Sequence, residues 1–124
     1  MQPWIAVAVG GGVGSVARYA LGRLVVQQWP GARFPWATVA VNISGCLVIG
    51  VLAGLFSSGT LGMRSPWREF IFVGLLGGFT TFSAFGLDTL TLLRAGAPGL
   101  AIANVALQVG AGLAAVYVGF RLAA

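Results

Sequence analysis

Uncharged hydrogen-bonding side chains occur inside segments that are otherwise apolar, and these are the residues of this sequence that could do chemistry. The stretch 77–85 reads GGFTTFSAF and holds two threonines and a serine among three phenylalanines. Two other apolar segments carry polar pairs four positions apart, Thr38 with Asn42 and Asn104 with Gln108. Residues i and i+4 lie on one face of a helix, so each pair presents its donors together. Such a lining donates hydrogen bonds without fixed charge, which favours a weakly held anion over a proton or a metal ion.

The ionisable residues do not support an enzyme mechanism. The chain has seven arginines, two acids, no lysine and no histidine, so the usual general bases and Schiff-base lysines are missing. The two acids, Glu69 and Asp88, are too far apart in sequence to share one helix turn. The glycine-rich stretch 10–15 has no Walker lysine after it, so we interpret it as a close-packing surface. We therefore expect no enzymatic activity.

The arginines stand singly at the ends of apolar segments, where such side chains extend towards lipid headgroups. A protein that binds nucleic acid would cluster them on one exposed face. We therefore expect the lipid bilayer as a partner and no nucleic acid. The single cysteine, Cys46, lies inside an apolar run and is interpreted as small core filler.

Four apolar segments are each near the length that a helix needs to cross a bilayer. The sequence is 58% hydrophobic and 7% charged, whereas soluble domains are usually about one quarter charged. The predicted helices cover approximately residues 4–26, 35–56, 70–93 and 99–120. Tryptophans 4, 29, 36 and 67 fall at the ends of these segments, as in an interfacial aromatic belt. The prediction is an all-α membrane protein, with residues 1–124 forming a single four-helix transmembrane domain.

Positive charge is almost evenly divided between the two ends of the predicted helices. Arg64, Arg68 and Arg121 fall on the side of the N-terminal amine, and the arginines at 18, 23, 33 and 94 fall on the other. The positive-inside rule orients a protein through an asymmetry in these charges. Because almost none is present, we expect dual topology, in which the chain inserts both ways and forms an antiparallel homodimer. Four glycine-rich helices leave little room for a water-filled path, so permeation is expected between subunits.

The third apolar segment is predicted to be a broken helix. Gly77 and Gly78 disfavour continuous helix, and the hydroxyls of Thr80 and Thr81 can satisfy freed backbone groups. Non-helical backbone at membrane depth is tolerated only when it is buried in protein or lines a cavity. We therefore expect the break to face the dimer axis.

Phe82 and Phe85 lie at i and i+3, just beyond this break. A phenyl ring has a positive edge, so inward-facing edges could hold a small anion. Taken alone, such a pair more often packs in a core or faces lipid. An intramembrane asparagine or glutamine likewise often serves only to join helices, and the hydroxyl of Ser44 is expected to bond its own helix.

Small residues four positions apart predict close helix contacts in lipid. The pairs are Gly10/Gly14, Gly50/Gly54 and Gly74/Gly78, with a similar strip at Ala106, Gly110 and Ala114.

Three stretches resemble, in order and spacing, the Fluc/CrcB family of fluoride channels. They are GGGVGSVARY at 10–19, TVAVN at 38–42 and GLLGGFTTFSAF at 74–85. The similarity extends over essentially the whole chain. The resemblance implies a dual-topology homodimer of four-helix subunits, in the inner membrane of a bacterial cell, with two antiparallel fluoride pathways. It also implies passive fluoride export that lowers fluoride toxicity in the cytoplasm.

The resemblance also implies roles for individual residues. Asn42 matches the pore-lining asparagine, Phe82 and Phe85 match the phenylalanines whose ring edges face fluoride, and Arg18 matches an arginine near one mouth. Thr81 and Ser83 match polar residues beside the phenylalanines. The family usually has a tyrosine and, four positions on, a serine on the fourth helix. Asn104 and Gln108 stand there instead, and both can donate hydrogen bonds.

By the same resemblance, Gly77 and Thr80 match positions whose backbone carbonyls, two from each subunit, hold a structural sodium ion at the dimer centre.

Two other functions stay open. A small dual-topology multidrug exporter coupled to protons would need an intramembrane carboxylate, and Asp88 is the only acid that lies deep enough. A structural membrane subunit would assemble with larger partners and carry no ion flux by itself.

Overall fold

The computed structural model describes all 124 residues and is entirely helical. Helices α1 (Pro3–Gln28) and α2 (Trp36–Ser57) precede a π-helical segment (Glu69–Leu75), which continues into the short α3 (Leu76–Phe79). Helices α4 (Phe82–Arg94) and α5 (Pro98–Ala123) follow. We call Glu69–Arg94 as a whole the third span.

Four helical stretches are long and apolar enough to cross a membrane: α1, α2, the third span and α5. Only 16 of 124 residues are buried within the subunit, so most of the apolar surface faces outwards. Large exposed apolar surfaces of this kind belong in lipid or against a partner. The prediction of an all-α chain with four membrane-spanning helices is therefore confirmed.

Glycines set the contacts between helices, as their spacing predicts. Helix α1 lies against the π-helical segment and α3, where a Cβ on Gly14 would collide with the Leu75 carbonyl. The stretch 10–15 is thus a close-packing surface, not a phosphate loop. Helix α2 lies against α5, where Gly54 and Gly119 meet the partner helix's backbone directly. The strip at 106, 110 and 114 differs, because all three residues are exposed and no atom lies within 4 Å of the position that a Cβ on Gly110 would take.

Contacts between connections define the two ends of the bundle. At one end, Arg33 donates to the carbonyl of Ala95 at 3.5 Å, joining the α1–α2 connection to the α4–α5 connection. At the other end, the Arg68 guanidinium lies 5.7 Å from the centre of the Phe56 ring. The third span therefore runs from the end that holds Arg68 to the end that holds Arg33.

Candidate functional site

The third span is interrupted at Thr80 and Thr81, whose backbones are extended (φ −83°, ψ 156° and φ −149°, ψ 115°). The expected break is present, but the interruption lies beyond the two glycines, because Gly77 and Gly78 are themselves helical. Gly78 instead lets the third span lie close to α1, since a Cβ there would meet the backbone of Gly11. Gly78 therefore allows close helix contact, and the extended backbones of Thr80 and Thr81 interrupt the helix.

Both threonine hydroxyls bond backbone groups at the break, as expected. Thr80 Oγ1 donates to the carbonyl of Leu76 at 3.0 Å. Thr81 Oγ1 caps α4 by accepting from the amide of Ala84 at 3.2 Å. An N-cap of this kind satisfies one of the free amides at a helix start. The Thr80 side chain therefore bonds the end of α3, and the Thr81 side chain bonds the start of α4.

The side chain of Asn42, on α2, holds the other polar groups of the break. Its Oδ1 accepts from the Thr81 amide at 2.8 Å, and its Nδ2 donates to the Thr81 carbonyl at 3.0 Å. One amide side chain thus replaces both backbone partners that a continuous helix would have supplied. Leaving either group unpaired in a buried setting would be costly, at about 1–3 kcal/mol.

The break removes helical donors from the backbone carbonyls that precede it, including those of Gly77 and Thr80. In a continuous helix the Thr81 amide would donate to Gly77 and the Ala84 amide to Thr80, but both amides bond side chains instead. Gly77 is exposed, and no atom lies within 4 Å of the position its Cβ would take. Carbonyls that lose their helical donors at a break can coordinate an alkali cation. The residues present therefore fit the expected sodium site.

Helix α5 contributes the second and third amides. Asn42 Nδ2 also donates to Gln108 Oε1 at 2.8 Å, and Gln108 Nε2 donates to Asn104 Oδ1 at 2.8 Å. Asn104 Nδ2 in turn donates to the hydroxyl of Thr89 on α4 at 3.0 Å. These bonds connect the three helices around the break.

A cavity of about 380 Å³ lies beside the break and opens on the surface of the subunit. Polar lining comes from Asn42, Gln108 and the two threonines, and apolar lining from Phe82, Phe85 and neighbours. The rings of Phe82 and Phe85 are 5.4 Å apart and tilted by 42°. No arginine or acid is among the lining residues, which are Asn42, Gly45, Cys46, Ile49, Phe72, Leu76, Gly77, Thr80, Thr81, Phe82, Phe85, Gln108 and Val109.

Three of the residues predicted from the sequence lie outside this lining. Ser83 is exposed and shares a 3.2 Å hydrogen bond with Thr81. Asn104 is completely buried behind Gln108. Arg18, on α1, forms no hydrogen bond and is not in the cavity wall.

Sequence reasoning missed two polar partners. Thr89 receives the Asn104 amide, and its own hydroxyl donates to the carbonyl of Phe85 at 2.8 Å. Thr38 donates to Asp88 at 2.6 Å, outside the cavity. That bond places the carboxylate at the first turn of α2, where the helix dipole favours negative charge. Spacing along one helix gave no signal for either contact, since both cross between helices.

Comparison with known proteins gives a consistent result over nearly the whole chain. Residues 5–120 match the family model described as CrcB-like protein, Camphor Resistance (CrcB). A fluoride-specific ion channel FluC of Methylobacillus flagellatus is 52% identical over 94% of this chain and 90% of its own length.

Two further relatives carry the same name. The FluC protein of Pseudomonas fluorescens is 47% identical, covering 95% of this chain and 94% of the relative. That of Rhodospirillum centenum is 44% identical, covering 98% and 95% respectively. With a helix break, an amide-lined cavity and full-length similarity all in place, the chain belongs to the CrcB family.

Proposed function

We propose that this protein is a fluoride-selective channel that conducts passively and lowers fluoride in the cytoplasm. The observation that carries the proposal is the cavity beside the helix break, which offers amide and hydroxyl groups and three phenyl rings, those of Phe72, Phe82 and Phe85, but no acid. The names of the relatives support it.

The chemistry of the cavity suits a small, strongly hydrated anion. A channel must replace much of the ion's water shell, yet hold the ion weakly enough to release it. Neutral N–H and O–H donors and the positive edges of phenyl rings attract an anion without the strong binding of a full positive charge. A carboxylate in the wall would repel it. Neither acid of the chain lines the cavity, and Asp88 is bonded to Thr38.

The working unit in this proposal is an antiparallel homodimer with dual topology. In the apolar 18-residue window of the third span only 11% of the residues are buried within the subunit, the smallest share among the four spans, although this span carries the broken backbone. Phe82 is 82% exposed. Broken backbone facing lipid would leave polar groups without partners, so a second copy is needed to cover it. The near-even charge distribution at the two ends supports insertion in both orientations.

A structural sodium ion at the dimer centre is part of the proposal. The carbonyls of Gly77 and Thr80 would hold it, two from each subunit. When bound, it would neutralise the exposed carbonyl dipoles and join the two copies. The chain's own part is to keep these carbonyls free, which it does by directing the Thr81 and Ala84 amides to side chains.

The proposed location is the inner membrane of a bacterial cell, as a multi-pass protein. The relatives are bacterial, and four helices are long and apolar enough to cross a membrane. Fluoride would leave down its gradient and under the membrane potential, with no energy source in the protein.

Fluoride efflux from proteoliposomes that contain this chain alone tests the proposal. We expect rapid fluoride efflux and no chloride efflux above that of protein-free liposomes. No fluoride flux at all would favour a structural membrane subunit. Flux that requires a proton gradient would favour a proton-coupled exporter.

A further inference from the structure

The amides around the break form one continuous hydrogen-bonded chain, which we call the amide relay. It runs from the backbone of Thr81 through Asn42, Gln108, Asn104 and Thr89 to the carbonyl of Phe85. The relay therefore leaves the third span at Thr81, the N-cap of α4, and passes through α2 and α5. It returns to α4 at Thr89, about two turns further on, and the Thr89 hydroxyl bonds Phe85 one turn back.

The direction of every bond in the relay is fixed. The backbone amide of Thr81 can only donate, so it must bond the side-chain oxygen of Asn42. The side-chain nitrogen of Asn42 is then the atom that bonds Gln108. Gln108 must then accept through Oε1 and donate through Nε2. Asn104 likewise accepts through Oδ1 and donates through Nδ2. The Thr89 hydroxyl then donates to the Phe85 carbonyl, which can only accept. The donor at one end of the relay and the acceptor at the other end therefore require the same orientation of all three side-chain amides.

This orientation decides which amide hydrogen remains available to an ion. A primary amide has two N–H groups. Asn42 uses both, on the Thr81 carbonyl and on Gln108. Asn104 uses one, but it is completely buried and outside the cavity wall. Gln108 uses one, on Asn104, and it does line the cavity. Of the three side-chain amides, Gln108 is therefore the one that both lines the cavity and has an N–H group without a partner in this chain.

We propose that Gln108 is the donor that α5 offers to fluoride, and that Asn104 is a positioning residue which never touches the ion. The proposal rests on the fluoride-channel function and divides roles between two residues that sequence spacing treats alike. By accepting one hydrogen of Gln108, Asn104 keeps the nitrogen of that amide directed towards itself and the carbonyl oxygen directed towards Asn42. A reversed amide would present a carbonyl oxygen, which repels an anion.

Two flux measurements separate the roles. Gln108→Met keeps the length of the side chain and removes the donor. We expect it to lower fluoride efflux by about tenfold or more, the change that losing one hydrogen bond to an ion produces. Leu113→Met, an exposed position on the same helix, is the control and should conduct normally. Normal efflux from the Gln108 variant overturns the donor role.

A spectroscopic measurement tests the positioning role. In ¹⁵N-labelled protein in micelles, the side-chain N–H₂ resonances of Gln108, assigned by their loss in Gln108→Met, should shift on titration with fluoride but not with chloride. Asn104→Leu removes the acceptor and should abolish most of this shift. Thr89→Val breaks the relay one bond further on and should reduce the shift less, which provides a second variant if Asn104→Leu does not fold.

The outcomes are distinct. An unchanged fluoride shift in Asn104→Leu, or in Thr89→Val if only that variant folds, overturns the positioning role. Absence of any shift in the unaltered protein that nevertheless conducts fluoride overturns the donor role. Absence of flux from the unaltered protein removes the proposed function itself, and with it this inference.

Discussion

Helix α2 meets helix α5 in two regions that differ in chemistry. In one region, Gly50 and Gly54 lie directly against the backbone near Val116 and Phe120, so that a Cβ at either glycine would collide with a carbonyl. In the other, Asn42 reaches Gln108 through a 2.8 Å hydrogen bond, and a cavity of about 380 Å³ lies alongside. The glycine region is closed by backbone contact, whereas the amide region is held open by side chains.

The comparison shows how one helix pair provides both cohesion and a site. In lipid, close contact between small residues is a principal source of helix association, because apolar burial contributes little. Contact of that kind leaves no space for an ion. Bonding through long amides keeps the backbones further apart and supplies polar groups, while the glycine region holds the pair together. We therefore expect substitutions in the glycine region to change stability and substitutions in the amide region to change conduction.

The largest effect is expected from Asn42→Leu. It removes both partners of Thr81 and one partner of Gln108, leaving buried polar groups unpaired at about 1–3 kcal/mol each. Fluoride efflux should fall by about a hundredfold or more, which corresponds to the loss of two such groups. Ser44→Ala is the matched control, because its hydroxyl bonds only its own helix at Val41. Equal efflux from the two variants would contradict the role given to Asn42.

Phe82→Ile and Phe85→Ile should each lower fluoride efflux by about tenfold, since an aliphatic side chain has no positive edge to offer the anion. Size-exclusion chromatography should show an unchanged dimer. Phe56→Ile, at the end of α2 away from the cavity, is the control and should conduct normally. Undiminished efflux from both cavity variants would show that the two rings only pack against their neighbours and do not interact with fluoride.

Gly50→Ala should destabilise the protein by about 1–3 kcal/mol, because the new methyl group meets the carbonyl of Val116 and the helices must separate. Gly110→Ala is the matched control, since nothing lies within 4 Å of its Cβ position. Unfolding titrations in a denaturing detergent measure the difference. If Gly50→Ala were as stable as the control, the glycine region would not be what holds the pair together.

Asp88→Asn is expected to have the smallest effect, below about threefold on fluoride efflux, because an amide oxygen can still accept from Thr38. Proton-coupled export would instead require this carboxylate. If Asp88→Asn abolished transport while Phe82→Ile retained it, the protein would be a proton-coupled exporter and not a channel.

Much of the fold follows from the sequence because length and apolarity suffice to define a membrane-spanning helix. The four spans and the contacts of Gly14 and Gly54 agree with what spacing predicts, and the hydroxyl of Ser44 bonds its own helix as expected. The position of the break does not follow from glycine content. Glycine content pointed to residues 77 and 78, but tertiary contact with Gly11 keeps Gly78 helical, and the extended residues follow it.

The sequence predicts which residue types form the site, but not which hydrogen bonds join them between helices. Spacing placed Asn104 and Gln108 on one face of α5, and the structure agrees, since Gln108 donates to Asn104. Their unequal access to the cavity depends on how α4 lies against α5, which no pattern within one helix encodes. The Thr89 and Asp88 contacts were missed for the same reason. The dimer, its topology and the sodium ion stay predictions.

The single cysteine allows the most direct test that this cavity is the fluoride path. Cys46 lines the cavity, so Hg²⁺ bound to its thiol would occupy that space. The protein can be treated with Hg²⁺ before reconstitution, with mass spectrometry confirming one mercury per chain, and Cys46→Ala treated identically as the control. We predict that fluoride efflux stops in the mercury-bound protein and continues in Cys46→Ala. Full efflux from protein carrying mercury on Cys46 would show that fluoride crosses elsewhere.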